Sequence, residues 1–234
     1  MKKHIPNFLT CCNLMVGAVG IVFIALRDDF QLTFMFVLIA SIFDFADGLA
    51  ARSLKVQSEI GKQLDSLADL VSFGVLPSFA FCYAFLRLGN LSFFEVFEFE
   101  NTALFPLLIV PFSALRLARF NISTDQSNEF KGLPTPANAI LISGMLLLNS
   151  TILSSEYVLL ITVSSCFLLV SNIRMIAFKF KSMSWAGNEL RYLLLVILII
   201  GFAVFQLSFV PFVIPTYIVF SIVGNYLLQP VVFR

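Results

Sequence analysis

The chain has 234 residues, which is within the length of one domain, but its composition is not that of a water-soluble protein. Hydrophobic residues make up 59% of it, charged residues only 12%, and the mean hydropathy is +0.95. Such values indicate a chain that lies mostly within a bilayer. The formal net charge of +1 argues against nucleic-acid binding. We therefore predict a single all-α membrane domain over residues 1–234, built as a bundle of transmembrane helices.

Apolar runs long enough to cross a hydrocarbon core of about 30 Å recur along the chain. The first follows a short basic stretch and lacks a small-residue cleavage site, so we expect it to be a retained span. Pro211 and Pro215 leave the last boundary open, and only a short polar break divides 137–176. We predict eight spans, give or take one, near 8–26, 31–50, 65–86, 103–120, 137–153, 156–176, 191–208 and 211–228.

Lysine and arginine predict the orientation, because they collect in cytoplasmic loops. With eight spans the two termini share a side, and every basic residue except Arg27 and Arg87 falls there. We expect a multi-pass protein of the cell membrane with both termini in the cytoplasm. The segment from Phe178 to Trp185, which alternates Phe, Lys and Ser, is expected to lie at the cytoplasmic interface.

Four aspartates are concentrated at the end of the second predicted span and the start of the third. Asp44 and Asp47 are three residues apart and share one helix face. Gly61, Asp65 and Asp69 share another at steps of four. An isolated ionised side chain at membrane depth costs at least ~2.5 kcal/mol, so these groups need a polar cavity and a positive partner. The two stripes can face each other.

Four converging carboxylates repel one another unless cations neutralise them. Hard oxygen ligands favour Mg²⁺, Mn²⁺ or Ca²⁺, and two divalent ions would balance four carboxylates. A pair of such ions ~3.5–4 Å apart is a recurring device for displacement at phosphorus, since it neutralises phosphate oxygens and leaving group together. The pattern therefore predicts metal-assisted phosphoryl chemistry.

Small and basic residues accompany the aspartates. Gly48 and Gly61 leave room for a phosphate to approach the backbone, or for close packing of helices. Arg52 is the residue that we expect to hold a diphosphate. Lys55 and Lys62 fit the general bias of basic residues toward one side of the membrane.

Eight fixed positions in this region resemble the signature of the CDP-alcohol phosphatidyltransferase family: Asp44-x2-Asp47-Gly48-x2-Ala51-Arg52-x8-Gly61-x3-Asp65-x3-Asp69. Each position would match by chance about one time in twenty, so eight matches together make accident a remote explanation. The resemblance implies a six-helix catalytic core, usually dimeric, with a metal-bound site that faces the cytoplasm and opens toward lipid. It also implies transfer of a phosphatidyl group from a CDP-linked lipid to an alcohol, with release of CMP.

The resemblance assigns expected roles to single residues. Asp44, Asp47 and Asp65 would bind metal, while Asp69 would help bind metal and take the proton from the attacking hydroxyl. The expected cofactors are two divalent cations, Mg²⁺ or Mn²⁺. The positions that match CDP-lipid-binding residues of the family are Asn7, Thr10, Gly48, Arg52 and Ser58. For Asn7 and Thr10 the alternative is helix capping.

The signature fits several acceptor alcohols, so the acceptor is predicted from a second polar cluster. Its segments ALRLARFN (114–121) and KGLPTPAN (131–138) resemble the branch of the family that makes phosphatidylserine from CDP-diacylglycerol and L-serine. Eight spans, with two added after the catalytic core, also look like that branch. Expected partners are therefore CDP-diacylglycerol, L-serine, the lipid bilayer and a second copy of the chain.

A zwitterionic amino acid needs a cation for its carboxylate. Arg116 and Arg119, three residues apart, can present two guanidinium groups on one helix face, with Lys131 as a weaker third choice. We expect backbone carbonyls near Pro134 and Pro136 to accept from the ammonium group, because these prolines interrupt helical pairing and leave carbonyls free.

Three alternatives stay open. The two arginines can end the fourth span by snorkelling to the headgroup layer. They can also serve glycerol 3-phosphate or inositol phosphate as acceptor within the same family. The alternative of another class is an ion-coupled transporter, since intramembrane carboxylates also bind coupling ions, although the acidic cluster has no counterpart after Asp69.

Overall fold

The computed structural model of the chain describes residues 4–27, 29–56, 58–88, 102–122, 130–148, 155–176, 184–185 and 188–227. Within these ranges the chain is a bundle of α-helices with two strands of two residues each, so the predicted all-α membrane fold is confirmed. The helices are α1 (Ile5–Arg27), α2 (Leu32–Leu54), α3 (Glu59–Asp69), α4 (Leu76–Leu88), α5 (Ile109–Ile122), α6 (Thr135–Met145), α7 (Ser155–Val170), α8 (Glu189–Phe205) and α9 (Val210–Leu227).

Shorter pieces complete the described chain. A π-helix, Leu70–Val75, joins α3 to α4 without a break, and 3₁₀ turns, Thr102–Leu108 and Gln206–Phe209, precede α5 and α9. Strand β1 (Phe130–Lys131) pairs antiparallel with β2 (Arg174–Met175).

The described helices have the length and surface of membrane spans. Five helical segments are long and apolar enough to cross a membrane: Ile5–Arg27, Leu32–Leu54, Glu59–Arg87, Leu104–Ile122 and Glu189–Gly224. Large apolar side chains such as Phe8 and Leu26 are exposed, whereas Asn13 and Asp47 are buried. This arrangement suits a lipid environment, in which polar groups must find partners inside the protein. The chain is a multi-pass membrane protein, and the count of eight spans stays a prediction.

The longest of these segments, Glu189–Gly224, folds back on itself. Gly224, in α9, packs against Leu190, in the first turn of α8. These residues would lie about 50 Å apart in one straight helix, so α8 and α9 form an antiparallel hairpin. The turn comes at Gln206, whose φ is 50°, and Pro211 is tolerated because it lies in the first turn of α9. The hairpin divides near the boundary predicted between the last two spans.

Two other predicted spans differ from the described helices. Helix α6 is described only as far as its end at Met145 and a turn through 148, and the rest of the predicted 137–153 span lies outside the described residues. Helix α7 ends at Val170, before the predicted limit at 176. The chain leaves the helix there, and Arg174 and Met175 pair with β1. The interfacial segment predicted from Phe178 to Trp185 also lies outside the described residues, except for its last two.

Contacts between α1 and its neighbours fix the direction of the first helices. Thr10 near the start of α1 touches Asp47 near the end of α2, so these helices are antiparallel. Asn13 touches Asp69, and Tyr83 in α4 donates to the carbonyl of Ala25, so α1 runs parallel to the segment from α3 to α4. The buried face of α1 is a stripe of mostly small and polar residues: Pro6, Thr10, Asn13, Gly17, Gly20 and Ile24.

The four aspartates lie at one end of the bundle, which we call the acidic end. Four helix ends meet there: the start of α1, the end of α2, the start of α3 and the end of α5. The end of α5 is fixed by Asn121, which donates to Ser66 in α3 over 2.8 Å. Arg27 and Arg87 lie at the opposite end. The other described lysines and arginines lie at the acidic end: Arg52, Lys55, Lys62, Arg116, Arg119, Lys131, Arg174 and Arg191. The charge asymmetry predicted from the sequence is therefore present in the fold.

Residues next to β1 cap the end of α7. The N–H of Gly132 donates to Ile173 (2.8 Å) and the N–H of Leu133 donates to Leu168 (2.9 Å). Gly132 has a φ of 76°, and a Cβ there would lie 2.8 Å from the carbonyl oxygen of Leu169, so only glycine fits without strain. The last carbonyls of α7 thus find partners away from water.

Gly17 allows α1 to approach the π-helix, and this close approach can be tested. A Cβ on Gly17 would lie 2.5 Å from Ser72 Oγ and 2.9 Å from Ser72 Cα. We expect Gly17→Ala to lower the free energy of unfolding in detergent by about 1–3 kcal/mol, because the helices must separate. Ala18→Val is the matched control, since Ala18 is exposed. Equal stability of Gly17→Ala and wild type would show that the contact is not tight.

Candidate active site

Three aspartates from two helices converge at the acidic end. Asp44 and Asp47 of α2 and Asp65 of α3 each offer a carboxylate oxygen, and these oxygens all lie within 4.8 Å of one another. The spacing of three residues puts both carboxylates of α2 on one face of that helix, from which their oxygens approach Asp65. The structure therefore brings together three of the four carboxylates that the sequence singles out.

The chemistry of this group fits a divalent cation. Asp65 Oδ1 is enclosed and has no hydrogen-bond partner among the described residues. A buried polar atom without a partner costs ~1–3 kcal/mol, and three carboxylates this close repel one another. Positive charge among them removes both penalties, and hard carboxylate oxygens suit Mg²⁺, Mn²⁺ or Ca²⁺. The acidic cluster can therefore bind metal.

Asp69 stands beside this group and has its own partner. It is the last residue of α3, one helical turn beyond Asp65, and is 9% exposed. Asn13 Nδ2 of α1 donates to Asp69 Oδ1 over 3.2 Å. Immediately after Asp69 the π-helix begins, and Ser72 within it donates to the backbone carbonyl of Asn13 over 2.9 Å. Such π-helical insertions are frequent at functional sites.

A second residue of α1 holds one member of the acidic cluster formed by Asp44, Asp47 and Asp65. Thr10 Oγ1 donates to Asp47 Oδ2 over 2.7 Å, and it also lies 3.0 Å from the carbonyl of Pro6. Thr10 lies inside α1, not at its start, so it does not cap the helix. A hydroxyl that holds one oxygen of a ligand carboxylate leaves the other free to face the ion.

The residues expected to bind the CDP-lipid lie around the acidic cluster in different environments. Gly48 is open, because the nearest atom to a Cβ placed there is Arg52 Nη2 at 3.8 Å. Gly61 is crowded, with Asn7 Oδ1 3.2 Å from its Cβ position. Ser58 caps α3 by accepting from the N–H of Gly61 over 3.0 Å. Gly61 thus serves the packing of α1 on α3, whereas Gly48 leaves space beside an exposed guanidinium group.

The three cationic residues of the second polar cluster also differ. Arg116 is 9% exposed, its guanidinium lies 5.3 Å from the centre of the Phe120 ring, and it is within electrostatic range of Asp69. Arg119 is exposed and donates to the carbonyl of Val170 at the end of α7 over 3.0 Å. Lys131 is exposed in β1. Only Arg116 is placed inside the bundle next to the aspartates.

The expectation that Pro134 and Pro136 leave free carbonyls by interrupting a helix is wrong. Helix α6 begins at Thr135, so Pro136 lies in its first turn, where the missing N–H would have had no helical partner. The carbonyl of Pro134 accepts the N–H of Asn138 over 3.0 Å. These prolines start the helix instead of breaking it.

The sequence analysis assigns no role to Asn13 or to several buried polar groups below the acidic end, two of which, Thr135 and Asn138, lie in the segment 131–138. Asn13 could have been found, because it follows Thr10 by one helical turn on the buried stripe of α1. The others have fully enclosed side-chain atoms without a hydrogen-bond partner among the described residues: Ser113 of α5, Thr135 and Asn138 of α6, and Ser165 of α7. Their signal is weak, since single serines and threonines are common in membrane helices.

Comparison with known proteins shows the family to which the chain belongs. Residues 3–170 match the family model of the CDP-alcohol phosphatidyltransferases. The chain is 35% identical over 192 residues to the CDP-diacylglycerol–serine O-phosphatidyltransferase of Helicobacter pylori, which covers 77% of this chain and 74% of the relative. Proteins of the same name match from Methanocaldococcus jannaschii, at 35% over 158 residues (67% and 68% covered), and from Bacillus subtilis, at 34% over 182 residues (76% and 92% covered).

The matched region includes all four aspartates, Asn13, and the helices α1 to α7 that surround them. With this extent of similarity and an acidic cluster suited to divalent cations at one end of its bundle, the chain belongs to the CDP-alcohol phosphatidyltransferase family of enzymes.

Proposed function

We propose that this enzyme transfers the phosphatidyl group of CDP-diacylglycerol to the hydroxyl of L-serine, giving phosphatidylserine and CMP. The observation that carries the proposal is the group formed by Asp44, Asp47 and Asp65, with a fourth carboxylate, Asp69, held separately beside it. The relatives named above, which carry the name of the serine-using enzyme, support the choice of acceptor.

The aspartates divide the chemistry between them. Asp44, Asp47 and Asp65 would hold two divalent cations, Mg²⁺ or Mn²⁺, with Asp69 helping at the edge of the group. When bound, such ions supply positive charge that stabilises the phosphate oxygens and the leaving group. The oxygen of the serine hydroxyl attacks the phosphorus attached to diacylglycerol, and Asp69 takes the proton of that hydroxyl. The bond from that phosphorus to the CMP oxygen breaks, and CMP leaves.

The donor lies along α2 and the start of α3. Gly48 leaves space for the diphosphate and Arg52, one turn further, offers two guanidinium hydrogen bonds to it. Asn7, Thr10 and Ser58 would complete the donor site, since Asn7 and Ser58 lie next to Gly61 and Thr10 donates to Asp47. The acyl chains remain in the lipid, because Phe45 and Leu49 beside this site are exposed on the outer face of α2.

The acceptor lies on the opposite side of Asp69, toward α5. Arg116 is buried, and among the described residues it makes no ion pair within 4.0 Å. A serine carboxylate bound there would bring the hydroxyl of the same small molecule close to Asp69. Arg119 and Lys131 are exposed and lie further out, so we propose that they attract the acceptor without fixing its position. The positive charge at the acidic end supports a cytoplasmic active site in the cell membrane, and the expected homodimer stays a prediction.

The reaction is tested by measuring CMP release from purified protein with CDP-diacylglycerol. We expect release with serine, and little with glycerol 3-phosphate, inositol phosphate or no acceptor. EDTA should abolish release, and Mn²⁺ or Mg²⁺ should restore it, because the three carboxylates repel one another without cations. Release with another acceptor but not with serine would leave the family assignment unchanged and refute serine as the acceptor. Serine uptake into vesicles without CMP release would point to transport.

Substitutions separate the roles of the aspartates. We expect Asp69→Asn to lower kcat by roughly 10²–10⁴-fold, since the proton acceptor is lost, while CDP-diacylglycerol still binds. Asp44→Asn should abolish the metal-dependent part of donor binding. The turnover of both variants is measured by CMP release, and their donor affinity by equilibrium binding of labelled CDP-diacylglycerol with and without Mn²⁺. Wild-type turnover in Asp69→Asn would refute its role as base.

The arginines of α5 differ in burial, and this difference gives a kinetic prediction. We expect Arg116→Ala to raise the KM for serine by about 10–100-fold, the cost of losing a charged hydrogen bond, with a much smaller change in the KM for CDP-diacylglycerol. Arg119→Ala is the comparison, and it should raise the KM for serine less, because its guanidinium is exposed and donates to Val170. Equal effects of Arg116→Ala on both KM values would move this residue to the donor site.

A further inference from the structure

Asn13 lies beside the proposed catalytic base and is completely buried. Its Nδ2 donates to Asp69 Oδ1 over 3.2 Å, and its exposed fraction is 0%. It belongs neither to the eight-position signature nor to the expected CDP-lipid residues. We infer that Asn13 is a positioning residue, which holds the Asp69 carboxylate so that the other oxygen, Oδ2, faces the acceptor hydroxyl. This inference rests on the proposed function.

The chemistry of the two groups fixes the direction of this hydrogen bond. An ionised carboxylate only accepts, so the NH₂ of the amide must face it, since the opposite orientation would bring two oxygens together. Asn13 Oδ1 has no hydrogen-bond partner among the described residues. Within the described chain, the contact with Asp69 is therefore the only hydrogen bond that orients the Asn13 side chain.

A second contact fixes the backbone of Asn13 relative to Asp69. Ser72 Oγ, one turn after Asp69, donates to the carbonyl of Asn13 over 2.9 Å. Gly17, one turn further along α1, packs directly on Ser72. Helix α1 is thus held against the segment that carries the base at Asn13 itself and one turn after it. The amide can therefore hold the carboxylate at a constant place and angle, as positioning requires.

Positioning and structural roles predict different kinetics. A residue that acts through Asp69 should affect the step in which the hydroxyl loses its proton, so its loss lowers kcat and leaves KM nearly unchanged. Its effect should also vanish once Asp69 is no longer a base, because groups that act as a unit are not additive. A residue that only supports the fold would lower stability and would act independently of Asp69.

The experiment measures CMP release by Asn13→Ala, Asp69→Asn and the double variant, as full-length protein with CDP-diacylglycerol, serine and Mn²⁺. We expect Asn13→Ala to lower kcat about 10–100-fold, with both KM values within about twofold of wild type. In the Asp69→Asn background the same change should alter kcat by less than about twofold. Asn188→Ala is the matched control, because Asn188 is also buried and donates its amide to Ser184, over 2.9 Å, but it precedes α8.

A wild-type kcat in Asn13→Ala would overturn the inference, and so would an undiminished effect of this change in the Asp69→Asn background. If Asn13→Ala does not fold, Asn13→Leu replaces it, since leucine has the same branching and number of heavy atoms as asparagine, although it is larger, and fills the buried space without donating. A wild-type kcat in folded Asn13→Leu would equally overturn the inference. Failure of the wild type to release CMP with any acceptor would instead refute the proposed function, which separates the two failures.

Discussion

An ionised carboxylate loses most of its hydration when it enters a membrane protein, and this chain brings four of them to one end of a helix bundle. Such groups need partners supplied from the protein or from bound cations. Thr10 binds Asp47, Asn13 binds Asp69, and Asp44, Asp47 and Asp65 each bring a carboxylate oxygen within 4.8 Å of the other two. The polar residues of α1 therefore lie on its buried side, and the surface toward the lipid is left to apolar side chains.

Close packing of helices makes these short contacts possible. Residues of α1 reach both α2 and the segment from α3 to α4, and Gly17 and Gly20 let the helix backbones approach. The π-helix follows Asp69 directly, so its wider turn lies where Gly17 of α1 packs against Ser72. A bundle with large side chains at these positions would hold the same aspartates too far from Thr10 and Asn13. The small residues and the acidic site thus depend on each other.

Much of the fold and part of the site could be predicted from the sequence, because their signals are periodic. Long apolar runs indicate the membrane helices. The convergence of Asp44, Asp47 and Asp65 follows from the spacing of aspartates at steps of three and four on two helices. The difference in position between Arg116, which is buried, and Arg119, which is exposed, could not be predicted. Arg119 donates to the carbonyl of Val170 at the end of α7, which is distant in sequence. Asn13 itself has a usable signal in its spacing of one helical turn from Thr10, but its contact with Asp69, 56 residues away, could not be predicted.

Phe45 and Leu49 point outward on the stretch of α2 that carries Asp44, Asp47 and Gly48. The site is thus one helix thickness from the lipid, and a donor with two acyl chains has no need to leave the bilayer to react. With the proposed substrates, the effective concentration of the donor is its mole fraction in the membrane, whereas the availability of serine depends on its concentration in water. Diluting the donor lipid with inert lipid then slows turnover even when the total amount of donor is constant.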